Sequence, residues 1–206
     1  LIVPILSDIS ARNPIFLGNG TTGFYMWGAQ LEQASYPTSY IPNNSGGTIT
    51  RSQDSCTGAG DADTFNDSEG VLYAEISALA DDLTFRTIQI SDGTQDNRVL
   101  IRYRTSSNRF NFLLSAGGSV VLNQTPPVTD ITDVHKVAIA YKSGDIRLYI
   151  DGVQISSFTD TFVISGLDDL SFNREGVADI FYGNVKQVLV FPTALSDAEC
   201  IALTTI

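Results

Sequence analysis

The sequence predicts an all-β fold, a sandwich or barrel of short antiparallel strands, on three observations. Residues 134–154, VHKVAIAYKSGDIRLYIDGVQ, alternate with a period of two: Val137, Ile139 and Tyr141 share one face of a first strand, and Ile146, Leu148 and Ile150 share one face of a second. The reversals carry turn residues, Ser143-Gly144 and then Asp151-Gly152, the pair a type I′ turn favours because both central positions take positive φ. The 206 residues are 43% apolar with 17 glycines, and helix-period stretches are scarce, which fits strands joined by turns.

Net charge narrows the partners. At −11, the chain repels nucleic-acid phosphates and anionic membrane surfaces, so neither is expected to bind it. It has no apolar run of about 18 residues, so no membrane-spanning helix is expected. The start, LIVPIL, lacks the charged segment of a signal peptide, and the chain reads as part of a longer protein.

In chain order, residues 1–45 stand apart. Ile15-Phe16-Leu17 and Phe24-Tyr25-Met26-Trp27 flank GNGTTG and predict a hairpin, the end of a preceding β domain or an extension. Two strands have no core of their own, so Tyr25 and Trp27 are expected to be buried against the main domain or a neighbouring chain. Residues 46–69, ending in the acidic TGAGDADTFNDSE, read as a linker. Residues 70–206 form the main domain, with strands over Gly70–Ala78, Phe85–Ser91, Arg98–Arg104, Arg109–Leu114, Ser119–Asn123, the central meander, Leu170–Asn173 and Asn184–Phe191. Ile139, Leu148, Ile150 and Leu189 are expected between its sheets. Ser196 with Glu199 three residues on is a capping box that opens a short C-terminal helix.

Three runs, VLYAEIS from Val71, HKVAIAYKSGDIRLYIDGVQ, and GNVKQVLVFPTALSDAEC, resemble the concanavalin A-like lectin/glucanase superfamily in its laminin-G-like form. The likeness covers about residues 68–206. Val185–Glu199 matches that group's closing IxxLxVYxxALSxAE-like strand and helix, while His135 stands where the group often has Trp. The resemblance implies an antiparallel jelly-roll β-sandwich, preceded here by the hairpin extension and closed by the short helix. GAQLE followed by PTSYIP resembles a recurring tail of carbohydrate-binding-type β domains in bacteriophage tail and other structural proteins.

In such a sandwich the residues that alternate away from the core line its outer faces. Leu72, Ala74 and Ile76 face in, leaving Tyr73, Glu75 and Ser77 out; Ile88 and Ile90 face in, leaving Gln89 out; Val99, Ile101 and Tyr103 pack, so Arg98, Arg102 and Arg104 emerge. Tyr73, Glu75, Gln89, Arg102, Asn111, Arg147 and Tyr149 are therefore the candidate ligand-binding residues. Tyrosine rings suit the apolar faces of sugars, and amides, carboxylates and guanidinium groups suit their hydroxyls. The competing reading is a solvated sheet face with cross-strand ion pairs, such as Glu75 with an arginine.

Catalysis is not expected. A glycosidase would carry paired carboxylates about 5 Å apart, but Glu75 is alone on its strand, Asp81-Asp82 and Asp168-Asp169 sit in turns, and His135 begins an ordinary strand. Asp61/Asp63, Asp92/Asp96 and Asp168/Asp169 offer hard oxygens for calcium without a spaced ligand set, so no metal or other cofactor is assigned. Cys56 and Cys200 are expected as free thiols, as in a tail protein folding in reducing cytosol. The expected function is a glycan-binding module at the tip of a phage tail fibre, located on the virion, trimeric as the resemblance implies, and recognising a host-surface carbohydrate. The alternatives are a structural or assembly module of a virion and a carbohydrate-binding appendage of a secreted polysaccharide-degrading enzyme.

Overall fold

The period-two face of Val137, Ile139 and Tyr141 is the inside of a sandwich. A computed structural model of the chain describes residues 21, 25, 27–32, 39–50, 59–174, 176–177 and 179–206. The chain divides into two units, 1–51 and 52–206.

Among the described residues of the second unit, ten strands run β1 (Glu69–Ala78), β2 (Arg86–Ser91), β3 (Arg98–Tyr103), β4 (Phe110–Ala116), β5 (Ser119–Gln124), β6 (His135–Lys142), β7 (Ile146–Ile150), β8 (Val153–Phe158), β9 (Asp169–Ser171) and β10 (Gly183–Phe191), followed by helix α1 (Asp197–Thr204). They form two five-stranded sheets, ordered β10-β1-β6-β7-β8 and β5-β4-β3-β2-β9, called below the β1 sheet and the β3 sheet. Every strand pairing is antiparallel. The all-β sandwich expected from the sequence is the fold observed.

The core is the set of inward residues of the two sheets. Leu72, Ala74 and Ile76 of β1, with Val137, Ile139, Leu148 and Ile150, meet Ile88, Ile90, Val99, Ile101, Phe110 and Phe112. Leu189 is a correction: it points outward, and its neighbours Val188 and Val190 face the core. All three are apolar because β10 is covered on both sides, so alternation in the sequence could not choose between them.

The Asp151-Gly152 turn forms as expected, with φ of 50° and 78°. Asp151 also anchors the start of β6. Its Oδ1 accepts the Lys136 N–H at 2.9 Å, and its Oδ2 lies 2.6 Å from His135 Nδ1, while His135 Nε2 lies 2.8 Å from the Asp130 carbonyl oxygen. Both ring nitrogens of His135 are thus engaged in joining strand to turn.

Residues 59–68, an acidic connection by composition, pack on the sandwich. Phe65 is part of the core, and the Asp67 carboxylate accepts the Gly166 and Leu167 N–H groups at 2.8 and 2.9 Å. At the other end the capping box is present: Ser196 Oγ accepts the Glu199 N–H at 3.3 Å, and Glu199 Oε2 accepts the Ser196 N–H at 2.8 Å.

In the first unit, Gln30 explains why GAQLE and SYIP occur together. Its Oε1 accepts the Ile41 N–H at 2.8 Å and its Nε2 donates to the Ser39 carbonyl at 3.4 Å, so one carboxamide clasps the second segment through its backbone. Gly28 takes φ of 71°, with the Tyr40 ring 3.4 Å from where a side chain would begin, and Trp27 meets Tyr40 edge-on at 5.9 Å. Within this unit Tyr25 and Trp27 are exposed, Trp27 by 84%. Of the rest of the expected hairpin, residues 15–20, 22–24 and 26 lie outside the described residues.

Candidate functional site

Alternation tells inside from outside but not which sheet a strand joins, and this separates the seven sequence candidates. β1 and β7 lie in one sheet and β2, β3 and β4 in the other. Tyr73, Glu75, Arg147 and Tyr149 are therefore on the outer face of the β1 sheet. Gln89, Arg102 and Asn111 are on the outer face of the β3 sheet. Tyr73 and Arg102, expected to act together, stand on opposite sides of the sandwich.

The outer face of the β1 sheet is the seat of α1. Tyr73 and Tyr149 are buried there with Val71, Ala138, Ala140 and Cys200, beneath Leu195, Ile201 and Leu203. The Tyr149 hydroxyl donates to Asp197 Oδ1 at 3.0 Å, in the first turn of the helix. Burial holds that hydroxyl above the ordinary tyrosine range, and its hydrogen bond to Asp197 adds to the shift. Arg147 donates from Nη2 to the Leu195 carbonyl at 2.9 Å and pairs through Nε with Asp145 at 3.1 Å. Glu75 pairs with Lys186 at 3.2 Å, a cross-strand pair as the competing reading anticipated, though with lysine. The expectation that Tyr73, Arg147 and Tyr149 form an exposed face is corrected, because the helix that closes the chain covers it. Cys200 is a free, buried thiol, and burial raises its pKa; Cys56 lies outside the described residues.

The outer face of the β3 sheet is different in chemistry. The run RVLIRYR places Arg98, Arg102 and Arg104 on one side of β3 and its extension, two and four residues apart. Asn111 of β4 and Thr87 of β2 flank Arg102, and Ser115 and Ser91 flank Arg98. The β9–β10 connection adds Arg174 and Asp179, the latter held beside β2 by the Thr87 N–H donating to its carbonyl at 3.2 Å.

Asn111 is a positioning residue. Its Oδ1 accepts from Arg102 Nε at 2.8 Å, while its Nδ2 donates to Asn123 Oδ1 at 2.8 Å and to the Gln124 carbonyl at 2.9 Å. The Arg102 guanidinium lies over the Phe85 ring at 4.1 Å, and that of Arg104 at 5.5 Å. Asp179 Oδ2 is 3.0 Å from Arg174 Nε and 3.6 Å from Arg102 Nη1. These are ion-pair distances without hydrogen-bond geometry. Arg98 Nε, Arg102 Nη1, Arg174 Nε, Gln89 Oε1 and Asp179 Oδ2 are all buried with no hydrogen-bond partner.

The electrostatics follow. Burial, and then the Arg174 guanidinium, pull Arg102 down to about 10, with Asp179 opposing. Burial and Arg174 lower Arg98 as well. A chain of net charge −11 has gathered four guanidinium groups near Asp179 on this face, with Asp96 also acting on Arg98. Arg102, 5% exposed, and Gln89 form a buried floor, while Phe85, Arg104 and Arg174 are a half-buried rim. The arrangement offers convergent donors to an oxygen-rich ligand and a ring for an apolar face.

Among the described residues, no group of three His, Cys, Asp or Glu is placed to hold a metal ion. Asp61 and Asp92, considered for calcium, shape turns. Asp61 Oδ1 accepts the Thr64 hydroxyl at 2.6 Å and N–H at 2.9 Å; Asp92 Oδ1 does the same with Thr94, at 2.6 and 2.9 Å.

Residues 74–200 match the laminin-G-type family model of the concanavalin A-like lectin/glucanases superfamily. The chain belongs to that superfamily. No curated protein matches it in sequence. Among solved structures, it resembles the CBM40 module of the Ruminococcus gnavus IT-sialidase bound to α2,3-sialyllactose, at 19% identity and TM-score 0.59, over 75% of this chain and 97% of that one. It also resembles the leech intramolecular trans-sialidase, at 21% identity and TM-score 0.53, over 68% of this chain and 24% of the enzyme. A third likeness is domain 4 of AbnA, an extracellular arabinanase of Geobacillus stearothermophilus, in complex with arabinotriose, at 12% identity and TM-score 0.52, over 71% of this chain and 70% of that one. At these identities the likeness is one of fold.

Against this superfamily sandwich, the sequence reading missed Phe85, Arg174 and Asp179. It saw Arg98 and Arg104 emerge beside Arg102 without selecting them. The signal was available: three arginines, at 98, 102 and 104, on one side of β3 and its extension in an acidic chain.

Proposed function

We propose that the chain is a non-enzymatic glycan-binding module that takes its saccharide on the outer face of the β3 sheet. The observation that carries this reading is the set of buried, unpartnered donors at Arg98, Arg102 and Arg174 beside the Phe85 ring. Unmade hydrogen bonds from buried charged groups are costly, and a polyhydroxylated ligand supplies the missing acceptors. The superfamily fold and the saccharide-bound relatives support it. The GAQLE and SYIP segments support a place at the tip of a phage tail fibre, in a trimer that multiplies weak single-site attachment to a host-surface carbohydrate. A second setting, an appendage of a secreted polysaccharide-degrading enzyme, is favoured by the sialidase and arabinanase origin of the structural relatives. The flanking chain separates them: a catalytic domain marks the enzyme, a fibrous repeat the fibre.

The test is a glycan array with the full chain, followed by titration of the retained saccharide into wild type and Arg102→Gln. Binding is expected in the wild type and at least tenfold weaker in the variant, with both proteins melting cooperatively. Retention of no saccharide, or equal affinity in the two proteins, would overturn the assignment.

A further inference from the structure

Asp179 is an imperfect partner for the guanidinium groups around it. It brings one negative charge to Arg174 and Arg102, but at 3.0 and 3.6 Å its Oδ2 hydrogen-bonds neither. Arg102 Nη1, Arg174 Nε and Arg98 Nε remain unmade donors in side chains that are largely buried. Sugar hydroxyls alone are matched well enough by amides such as Gln89. They do not account for assembling guanidinium groups that repel one another out of water. A carboxylate does, because its two oxygens accept from a guanidinium fork in the geometry that Asp179 lacks.

Resting on the glycan-binding reading above, we infer that the saccharide bound here carries a carboxylate, and that Asp179 is a resident competitor for it. The ligand's carboxylate takes over Arg102 and Arg174, and the Asp179 side chain gives way. Asp179 thus sets the affinity: it keeps the arginines paired when the face is empty, and each binding event displaces it. Phe85, at the half-buried rim and packed against Arg102 and Arg104, is the apolar group beside these arginines. Sialic and uronic acids both present this group, and the experiment separates them.

The full chain is titrated calorimetrically with 3′-sialyllactose, trigalacturonic acid and lactose, at two salt concentrations. One of the acidic saccharides is expected to bind at least tenfold more tightly than lactose, and to weaken with salt. Asp179→Asn is expected to tighten that acidic ligand several-fold relative to lactose. Arg174→Gln, at the half-buried rim, is expected to weaken the acidic ligand by a larger factor than lactose. Thermal melts of both variants establish that they fold. Lactose binding as tightly as the acidic saccharides would overturn the inference while leaving the glycan-binding module intact. So would Asp179→Asn binding the acidic ligand no better than wild type. Failure of every saccharide, on the array as well as in solution, would remove the glycan-binding reading and this inference with it.

Discussion

Tyr149→Ala is expected to destabilise the domain by about 3–5 kcal/mol, the usual cost of deleting a fully buried aromatic side chain. Tyr149 is 0% exposed at the centre of the patch beneath α1, and its hydroxyl holds Asp197 in the first turn of that helix. The substitution leaves a cavity among Val71, Ala138 and Cys200 and removes the anchor of a two-turn helix that cannot form alone. Tyr149→Phe keeps the ring and separates the two losses, costing about 1 kcal/mol for the hydrogen bond. From sequence alone, removal of Arg147 and Tyr149 together leaves folding intact; the covered face reverses that expectation. Denaturant midpoints measure the effect, and a Tyr149→Ala protein as stable as wild type would mean that α1 does not dock on this sheet.

Leu148→Ala is expected to cost about 2–5 kcal/mol from the opposite face of the same strand. Leu148 is fully buried between the sheets, paired across the ladder with Ile139. Loss of its methyl groups opens a void that two packed sheets cannot close without shifting several strands. The midpoint should fall with little change in the denaturant slope, since the surface exposed on unfolding is nearly the same. An unaffected midpoint would refute the register of β7.

These two residues also show what was legible in the sequence. Leu148 was readable because a strand with one face in the core repeats every second residue, and the Asp151-Gly152 turn fixed its phase. Tyr149 alternates outward as the pattern requires, but outward is not exposed where a helix covers the face. The helix that covers it was itself readable from Ser196 and Glu199, and its apolar Cys200, Ile201 and Leu203 required a partner that no local pattern names. The arginine face was half readable. Arg98 and Arg102 share β3 and Arg104 follows it directly, so their alignment is local information. Arg174 and Asp179 reach them from a connection some seventy residues away, through tertiary contacts with no sequence period. Leu189 failed for a third reason, since apolar neighbours on a strand covered on both sides carry no phase.

The threonine-capped aspartates at the loops have a consequence for proton binding. Asp61 is held below the ordinary carboxylate range by the Thr64 hydroxyl and N–H, and Asp130 by the Thr132 N–H and hydroxyl. At Asp92, burial works against ionisation, but the Thr94 and Asn97 bonds together outweigh it. Each of these groups releases its proton more readily in the folded chain than in the unfolded one. They therefore favour folding at all pH values above the ordinary aspartate range, and that contribution fades only as pH falls through their depressed folded values. Through these groups the domain should lose stability in strong acid and be little affected by mild acidification. Through mild acidification these ionised side chains keep their turn bonds.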